Sequence, residues 1–360
     1  MHSMNKTCLI VNFGGPRNLE EIRPFLTELL TDQDVIRTPL PTPLQTWLFR
    51  RVAKKRSLSI REEYQKMQGR SPIFDDTENL AEALPMKTLT FHRYLPQTHA
   101  KSLAAIENCN DEEICVFPLF PQFSYATTGS IARFFQEHLS LRTLRKLRWI
   151  RSYAQHPAYI DCFTQHIRDY LDLKNVSDAA LFFSPHGVPQ SFICTGDPYQ
   201  TECETSFSLI RANFPASQTL LAYQSKFGRG QWLRPYTDEV CASIKEHIKG
   251  TPTVVFIPLS FTSDHVETLV EVENLYLPPV RSADFNALRC PAFNLSPLWI
   301  SAILKILDDS PWTTNEMLVR NERVKCPNHC RGGLCPYVKP LVQSDKNLEN
   351  SASKTLCSKP

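Results

Sequence analysis

Short apolar runs alternate with longer amphipathic stretches along most of the chain. Five runs have the length and composition of buried strands: CLIVNF (8–13), EICVFPLF (113–120), AALFFS (179–184), TLLAYQS (219–225) and TVVFIPLS (253–260). Three stretches have helical spacing of apolar residues: NLEEIRPFLTELL (18–30), PAYIDCFTQHIRDYLD (157–172) and YTDEVCASIKEHIK (236–249). Strands that alternate with helices predict an α/β protein with parallel sheets covered on both faces.

Two pairs of segments echo each other across the chain. VFPLFPQFSYATTGS (116–130) aligns with VFIPLSFTSDHVETL (255–269), and LIVNFGGP (9–16) is similar to LFFSPHGVP (181–189). The repetition predicts an internal duplication, with two similar Rossmann-like domains related by a pseudo-two-fold axis. Ligands of such sheets bind beyond the carboxyl ends of the strands, so we expect the functional site in the cleft between the domains.

Composition and charge narrow the class of protein. The 360 residues are 42% hydrophobic and 21% charged, with a formal net charge of +3, which is too small to argue for a nucleic-acid partner. Nine of the twelve cysteines are scattered singly, as expected of free thiols in a reducing compartment. We see no secretory leader and no membrane-spanning run, so the sequence predicts a cytoplasmic protein.

FFSPHGVPQSFICTGDPY (182–199) contains the first candidate for chemistry. His186 follows an apolar strand and is bounded by Pro185, Gly187 and Pro189, which restrict the loop. A histidine held rigidly at the carboxyl end of a strand suits a proton acceptor that works near neutral pH. The alternative is a histidine that is merely hydrogen-bonded within its loop.

PLSFTSDHVETLVEVENLY (258–276) is rich in acidic residues. A helix that begins near Asp264 would place Asp264, Glu267 and Glu271 on one face. Stacked carboxylates of this kind pass a hard divalent cation or a proton from one oxygen to the next. The alternative is a capping box with acids in the first helical turn.

Two further segments combine aromatic, apolar and basic residues. LAYQSKFGRGQWLRPYTDEV (221–240) interleaves Phe227 and Trp232 with three cations, which suits a flat anionic ligand or an ordinary surface loop. LQTWLFRRVAKKRSLSIREEY (44–64) runs from apolar into basic residues, which suits a membrane-surface lip, a grip on carboxylates or a solvated helix face.

The C-terminal region carries a cysteine cluster. Cys326, Cys330 and Cys335 form a C-x3-C-x4-C pattern with His329 inside it. Three thiolates do not complete a tetrahedral site, and a zinc site that used His329 beside Cys330 would strain so short a loop. A disulfide does not suit the reducing compartment inferred above. The cluster therefore reads as three ligands that need a fourth.

Taken in order, these segments resemble the ferrochelatase family over residues 7–310. The resemblance is carried by LIVNFGGP, KKR…EEY…GRSPI, FPQFSYATTGS, FSPHGVP…GDPY, YQSKFG…WL and SDHVETLVEVE. It implies a metal-inserting enzyme with two chelatase-like domains and a porphyrin cleft between them. The implied reaction inserts Fe²⁺ into protoporphyrin IX or coproporphyrin III, with release of two protons, in haem biosynthesis.

The resemblance also implies a division of the chain and roles for particular residues. We expect an N-terminal domain over 5–152, a C-terminal domain over 153–300, a helix and cysteine-rich tail over 301–340, and disorder over 341–360. The family's catalytic pair corresponds to His186 and Glu267, which also bind the iron substrate, with a second shell or metal path at His265, Asp264 and Glu271. The porphyrin-binding positions correspond to Phe13, Arg56, Tyr64, Ser71 and Trp232.

The chain departs from the family pattern at several positions. Leu275 stands where many members carry a third acidic rung, and Pro185 stands where an alanine is usual. In FHRYLP (91–96), either His92 or Arg93 falls at the family's arginine.

Some members of the family hold a [2Fe–2S] cluster with three tail cysteines and one cysteine of the second domain. By this resemblance, Cys162 in IDCFTQHI joins Cys326, Cys330 and Cys335, and the tail folds back onto the second domain. The C-x3-C gap is one residue longer than the C-x2-C of the best-known members. Zinc is one alternative, because thiolates suit either metal, and free thiols without any metal are the other.

Other functions remain as alternatives at this stage. A cobalt or nickel chelatase of the same fold, and a haem or porphyrin carrier without catalysis, fit the same segments. The basic lip suggests peripheral membrane contact, and we expect no nucleic-acid partner, since no nucleic-acid motif accompanies the basic run. The sequence leaves open whether the protein is a monomer or a dimer.

Overall fold

A computed structural model describes residues 6–228, 230–309, 313–314, 317–320 and 338–342. The strands are β1 (Lys6–Asn12), β2 (Thr88–His92), β3 (Glu113–Pro118), β4 (Leu147–Ile150), β5 (Ala179–Phe183), β6 (Thr219–Leu221), β7 (Thr253–Ile257), β8 (Asn286–Arg289), β9 (Thr313–Thr314), β10 (Leu318–Arg320) and β11 (Val338–Pro340). The helices before β5 are α1 (Ile22–Thr31), α2 (Thr42–Ser59), α3 (Arg61–Lys66), α4 (Ile73–Ala83), α5 (Pro96–Glu107), α6 (Thr128–His138), α7 (Leu141–Leu144) and α8 (Pro157–Leu173). The later helices are α9 (Gln190–Cys194), α10 (Tyr199–Arg211), α11 (Thr237–Ala242), α12 (Ile244–His247), a π-helix (Glu267–Tyr276), α13 (Leu277–Ser282) and α14 (Pro297–Asp308).

The described strands form two sheets and a separate hairpin. The first sheet has the order β2-β1-β3-β4-β9, with β9 antiparallel at its edge, and the second has the order β6-β5-β7-β8, with all strands parallel. Leaving β9 aside, the two sheets have the same strand order, each beginning with a central strand and adding its neighbours in the same sequence. The predicted α/β class with two similar halves is therefore confirmed.

All five predicted strands form, whereas sequence analysis missed the parallel strands β2, β4 and β8 and the short strands β9, β10 and β11. The missed strands lie at or next to a sheet edge, where one flank is not covered by another long strand. Both β2 and β8 are only partly buried. Edge strands need no continuous apolar run, so the pattern that reveals central parallel strands is weak there.

One apolar core lies between the two sheets. Ile10 and Phe117 of the first sheet and Phe183 and Val255 of the second belong to the same buried cluster, together with side chains of α8 and α14. The ring of Trp299 on α14 lies 6.2 Å from that of Phe117 and is fully buried. Because the halves share close-packed side chains, they are held in a defined relation to each other. The domain boundaries near 152 and 300 stay predictions.

Helix α8 forms where the sequence predicts it, and its local chemistry explains why. His156 caps its amino end by accepting the N–H of Ala158 at Nδ1 (3.1 Å), and Pro157 occupies the first helical position. Its buried face includes Tyr159, Ile160, Cys162, Phe163 and Ile167, which recur with helical spacing.

The other two predicted helices differ from expectation. The helix expected over 18–30 begins later, because the Asn18 side chain accepts the N–H of Glu21 (3.1 Å) and forms a turn instead of a helical start. The helix expected over 236–249 is divided into α11 and α12 at Ser243, whose φ of −113° and ψ of 27° are not helical.

The described residues on either side of the cysteine cluster pack against the first half, while the cysteines expected to reach the second half lie outside the described residues. Arg320 donates through Nε to Oδ1 of buried Asp34 (2.9 Å), and Gln136 of α6 donates to the carbonyl of Leu341 (2.6 Å). Met317, Val319 and Leu341 join the apolar cluster of the first sheet. A buried ion pair and apolar burial thus attach residues 317–320 and 338–342 to the first half, and the disorder expected over 341–360 stays a prediction.

Candidate active site

His186 lies in the loop after β5, where the backbone holds it from both sides. Its N–H donates to Oγ of Ser260 (2.9 Å), and the hydroxyl of Tyr199 donates to its carbonyl (2.8 Å). Its Nδ1 bonds to the carbonyl oxygen of Gly187, which only accepts, so Nδ1 carries the proton in the neutral ring. Nε2 is then left with its lone pair, 3.7 Å from Oε1 of Glu267.

Glu267 opens the π-helix and meets two imidazoles. Its Oε1 faces His186, and its Oε2 lies 3.4 Å from Nε2 of His265. Burial opposes ionisation of this carboxyl, but the charges of both histidines and of Arg56 outweigh it and hold its pKa at about 2. Burial alone would lower the pKa of His265, yet its contact with Glu267 raises it. Glu267 is therefore an anion at neutral pH.

Glu271 is a second carboxyl of the same helix with the opposite behaviour. Burial and the nearby charge of Glu267 raise its pKa to about 7, although the hydroxyl of Ser225, which donates to Oε2 (2.6 Å), opposes that rise. Near neutral pH this carboxyl can therefore either take up or release a proton. The pKa values of the two acids thus differ because Glu267 lies between two histidines, whereas Glu271 lies beside the anion of Glu267.

The predicted face of Asp264, Glu267 and Glu271 was wrong in its geometry. The helix begins at Glu267 and is a π-helix, so Asp264 lies in the preceding loop. Its carboxylate accepts from Arg289 (2.8 Å) and from Asn294 (3.1 Å), which turn it toward β8. An ion pair with a neighbouring strand thus engages this carboxylate, whereas Glu267 and Glu271 share a side of the wider helix.

The first half contributes the guanidinium of Arg56 and the phenol of Tyr64 to the surroundings of Glu267. The Arg56 guanidinium of α2 lies over the Phe227 ring, 4.1 Å from its centroid, and its charge acts on Glu267. Tyr64 of α3 is buried, and burial together with the charge of Glu267 raises the pKa of its hydroxyl. Residues predicted from distant segments are therefore brought together around one carboxylate.

Of the remaining predicted porphyrin-binding residues, Trp232 belongs to the second half, and Phe13 and Ser71 belong to the first. The ring of Trp232 lies 6.4 Å from that of His186, on the second half. Phe13 follows β1 and packs between two aromatic rings of the first half, with centroid distances of 4.7 and 4.8 Å. Ser71 is buried beside Gly15, where a Cβ would lie 2.6 Å from the serine Oγ, so only glycine fits.

A groove of about 780 Å³ lies between the α2–α3 segment and the π-helix. Its size is within the range of small-molecule sites. Leu275, where we expected a departure from the family pattern, lies in its wall, and its neighbours there are both apolar and basic. The lining includes Arg51, Lys55, Arg56, Lys66, Phe227, Val270 and Glu271.

Neither His92 nor Arg93 presents a free cation to the site. Arg93 is buried and pairs with Asp32 (2.8 Å), and His92 is buried with its Nε2 2.8 Å from Glu78. Both residues therefore serve the interior of the first half.

Sequence analysis overlooked three residues of the site. Gln224 and Ser225 were assigned to a strand that in fact ends at Leu221, and both contact the π-helix. Phe261 packs against the imidazole of His265 with a centroid distance of 5.1 Å. The signal that could have identified Gln224 and Ser225 is their position, since both are polar residues at the carboxyl end of an apolar run.

The cysteines can be placed only in part. Cys162 is buried on α8, where burial raises the pKa of its thiol to about 12 against the opposing charge of Lys305. The other predicted ligands, Cys326, Cys330 and Cys335, lie outside the described residues. Within the described ranges, no three His, Cys, Asp or Glu side chains are grouped as a ready-made metal cage.

Comparison with known proteins decides the family. A family model described as ferrochelatase matches residues 5–310. The chain belongs to the ferrochelatase family. As a ferrochelatase it is an enzyme that inserts ferrous iron into a porphyrin in haem synthesis.

Similar ferrochelatases occur in Chlamydia. The ferrochelatase of Chlamydia abortus is 40% identical over 324 residues, which cover 88% of this chain and 100% of that protein. That of Chlamydia pneumoniae is 41% identical over 319 residues, which cover 87% of this chain and 96% of that protein. These alignments extend over both halves of the fold.

Two solved structures are more distant from this chain. CbiX, described as the terminal enzyme of sirohaem biosynthesis in denitrifying bacteria, has a TM-score of 0.44 at 13% identity and covers 85% of this chain and 99% of its own. SirB from Bacillus subtilis, solved with Fe³⁺, has a TM-score of 0.47 at 12% identity and covers 84% of this chain and 94% of its own.

Proposed function

We propose that His186 and Glu267 carry out iron insertion in this ferrochelatase, with Glu271 as a proton acceptor behind them. The observation that supports this is the position of the His186 ring, whose Nδ1 bonds to the carbonyl of Gly187 and whose Nε2 lies 3.7 Å from Oε1 of Glu267. That gap is too long for a good hydrogen bond and leaves room for a proton or a cation between the two groups.

The reaction exchanges two pyrrole protons for one Fe²⁺ ion. The lone pair on Nε2 of His186 accepts a pyrrole N–H proton, as a neutral imidazole can. Glu267 stays ionised because its pKa is about 2, so it attracts the cation rather than storing a proton. Glu271, with a pKa of about 7, takes up protons and releases them toward the groove. His265 holds Glu267 from the side opposite His186.

The porphyrin is bound by groups from both halves. Arg56 and Tyr64 meet its propionates, while Phe13 and Trp232 contact the flat faces of the ring. Apolar walls of this kind favour a distorted ring whose nitrogen lone pairs leave the plane. The basic groove suits a porphyrin with carboxylate side chains, and both protoporphyrin IX and coproporphyrin III meet that requirement.

An anaerobic insertion assay tests these roles. Wild-type protein is expected to metallate protoporphyrin IX or coproporphyrin III with Fe²⁺, and His186→Ala to lose most of that activity while remaining folded and able to bind porphyrin. Full iron insertion by His186→Ala would exclude the role of the histidine. Co²⁺, Ni²⁺ and a sirohydrochlorin-type ring, tested in parallel, separate this activity from that of the other chelatases.

We further propose that Cys162 and the three tail cysteines hold a [2Fe–2S] cluster, with zinc as the alternative. The support is the family's ligand pattern, in which Cys162 stands at the position of the fourth cysteine; because burial raises the pKa of its thiol to about 12, binding of the metal has to release that proton. Protein purified without oxygen is expected to show the visible absorption bands of the cluster, and Cys162→Ser to lack them. Zinc content without visible bands would favour the alternative.

We also propose that the lip of α2 contacts a membrane surface. No helix in the described part of the chain is long and apolar enough to cross a bilayer. Leu44, Trp47 and Leu48 are nevertheless exposed beside basic residues, and the guanidinium of Arg51 lies 3.9 Å above the Trp47 ring. Such a surface suits anionic lipid headgroups over an apolar interior.

Sedimentation with vesicles tests the lip. Vesicles that contain anionic lipid are expected to bind the protein, and Trp47→Ser is expected to weaken that binding more than Leu141→Ser, an exposed leucine on α7. Equal binding of both variants would contradict the proposal. The cytoplasmic location inferred from cysteine usage stays a prediction.

A further inference from the structure

The segment Gln224–Ser225 lies between the histidine loop and the π-helix. The N–H of Gln224 donates to the carbonyl of Pro185 (2.9 Å), and the N–H of Gly187 donates to the carbonyl of Gln224 (2.8 Å). These two bonds form an isolated parallel bridge on both sides of His186. The backbone position of Gln224 is therefore tied to that of the catalytic histidine.

The same segment contacts the π-helix at three points along its length. Gln224 donates through Nε2 to the carbonyl of Glu267 (3.1 Å). Ser225 donates through Oγ to Oε2 of Glu271 (2.6 Å), and its N–H donates to the hydroxyl of Tyr276 (3.0 Å). The contacts thus reach the first residue, the middle and the last residue of the helix.

The backbone of Ser225 is in an unfavourable conformation. Its φ is +62°, in the left-handed region that residues other than glycine rarely adopt. Such conformations persist only where the surroundings impose them, and they concentrate at functional sites. Here the left-handed turn allows the N–H and the Oγ of one residue to face Tyr276 and Glu271 at the same time.

We propose that Ser225 is a positioning residue of the reaction: it holds the carboxylate of Glu271 in reach of the proton released at His186. The proposal rests on the proton-accepting role of Glu271 argued above. A charge-assisted hydrogen bond of this kind is short and directional, so it restricts both the position and the rotamer of the carboxylate. Because the neighbouring Gln224 is hydrogen-bonded to the loop of His186, the carboxylate of Glu271 is held at a defined position relative to that histidine.

A double-mutant cycle tests whether Ser225 acts through Glu271. We expect Ser225→Ala to lower kcat about tenfold, with KM for porphyrin and for Fe²⁺ within about twofold of wild type. Glu271→Gln should lower kcat by at least as much, and the double variant should be no slower than Glu271→Gln alone. Ser225→Gly, which lacks the hydroxyl but relieves the backbone, should be as slow as Ser225→Ala.

Ser152 provides a matched control outside the site. Its hydroxyl also donates to a glutamate carboxylate at 2.6 Å, that of Glu202, and it is likewise half-buried. Ser152→Ala is expected to keep kcat within about twofold of wild type, so loss of a serine–carboxylate bond alone does not slow the reaction.

Each outcome decides the proposal. Normal kcat in Ser225→Ala, recovery in Ser225→Gly, or additive losses in the double variant would each show that Ser225 does not position Glu271. Normal kcat in Glu271→Gln would overturn the role of Glu271 itself, and the Ser225 proposal with it. Insertion activity that depends on His186 but not on Glu271 would still leave the role of the histidine intact.

Discussion

Strands β3 and β7 occupy equivalent places in their sheets, yet the loops that follow them have different chemistry. After β3, the hydroxyl of Ser124 and the N–H of Tyr125 both donate to one oxygen of Asp197, at 2.8 and 2.9 Å. Asp197 is buried and also faces the guanidinium of Arg37 at 3.8 Å. After β7, Glu267 faces imidazoles at 3.4 and 3.7 Å, with 28% of its side chain exposed.

The difference separates an acid enclosed by donors from the acid for which we propose a role in the reaction. The carboxylate of Asp197 is surrounded by donors that satisfy it, so it closes the contact between the halves. The carboxylate of Glu267 is stabilised by charge but is not enclosed, which leaves it available to a cation. The duplicated fold thus provides two similar strand ends, and only the second carries an accessible anion beside a proton acceptor.

The largest expected effect is the loss of activity in Glu267→Gln. Removing the anion that attracts Fe²⁺ should lower kcat/KM at least about 100-fold without unfolding the protein. Iron insertion and thermal unfolding, measured on the same preparation, check this. Glu273→Gln is the matched control, because Glu273 lies on the same π-helix and contacts Arg281 at the surface. If Glu267→Gln kept more than half of the wild-type activity, Glu267 would not be needed for the reaction and would not differ from Asp197 in this respect.

Asp197→Ala is expected to show the reverse pattern. It removes the shared acceptor of Ser124 and Tyr125 and leaves Arg37 without this partner, so unfolding should cost about 3 kcal/mol less. The folded fraction should keep kcat within about threefold of wild type. Denaturant unfolding and assays at low temperature measure the two quantities. A large drop in kcat with unchanged stability would assign catalysis to the first loop as well.

Arg56→Met tests whether the first half of the molecule binds the porphyrin. Loss of a charge-assisted contact to a porphyrin carboxylate should raise KM for porphyrin about tenfold, with kcat little changed. Lys54→Met provides the control, since Lys54 is an exposed cation of the same helix that does not line the groove. Equal effects of both substitutions would indicate general attraction of an anion, not a specific contact.

The smallest expected effect is a pH dependence of stability from the first half. His99 packs against Phe91 and Phe134, and burial lowers its pKa from 6.5 to about 4. Between these values the unfolded chain binds a proton that the folded chain does not, so stability falls as pH falls from 6.5 toward 4. The slope is at most about 1.4 kcal/mol per pH unit.

Thermal unfolding at pH 5 and pH 7 measures that slope. His99→Gln, which does not titrate, should have a smaller difference in melting temperature between the two pH values than wild type. An unchanged difference would mean that other groups cause the acid sensitivity.

The fold and the central pair were largely predictable. The continuous apolar runs of β1, β3, β5 and β7 reveal central parallel strands, and Pro185 and Gly187 mark the loop of His186. The edge strands β2 and β8 contain too many polar residues for the same signal. The contact of Arg320 with Asp34, which lies 286 residues earlier in the chain, was not predicted, because a pairing over that separation leaves no local signal.

The sequence by itself determined which segments become strands and helices, since burial and periodicity are local properties of the chain. It also determined which residue types stand at the strand ends, including His186 and the acids after β7. Only the tertiary structure decided that Asp264 pairs with Arg289, that Ser225 holds Glu271, and that a π-helix begins at Glu267. Those outcomes depend on which distant segments pack together, and packing between distant segments has no local pattern.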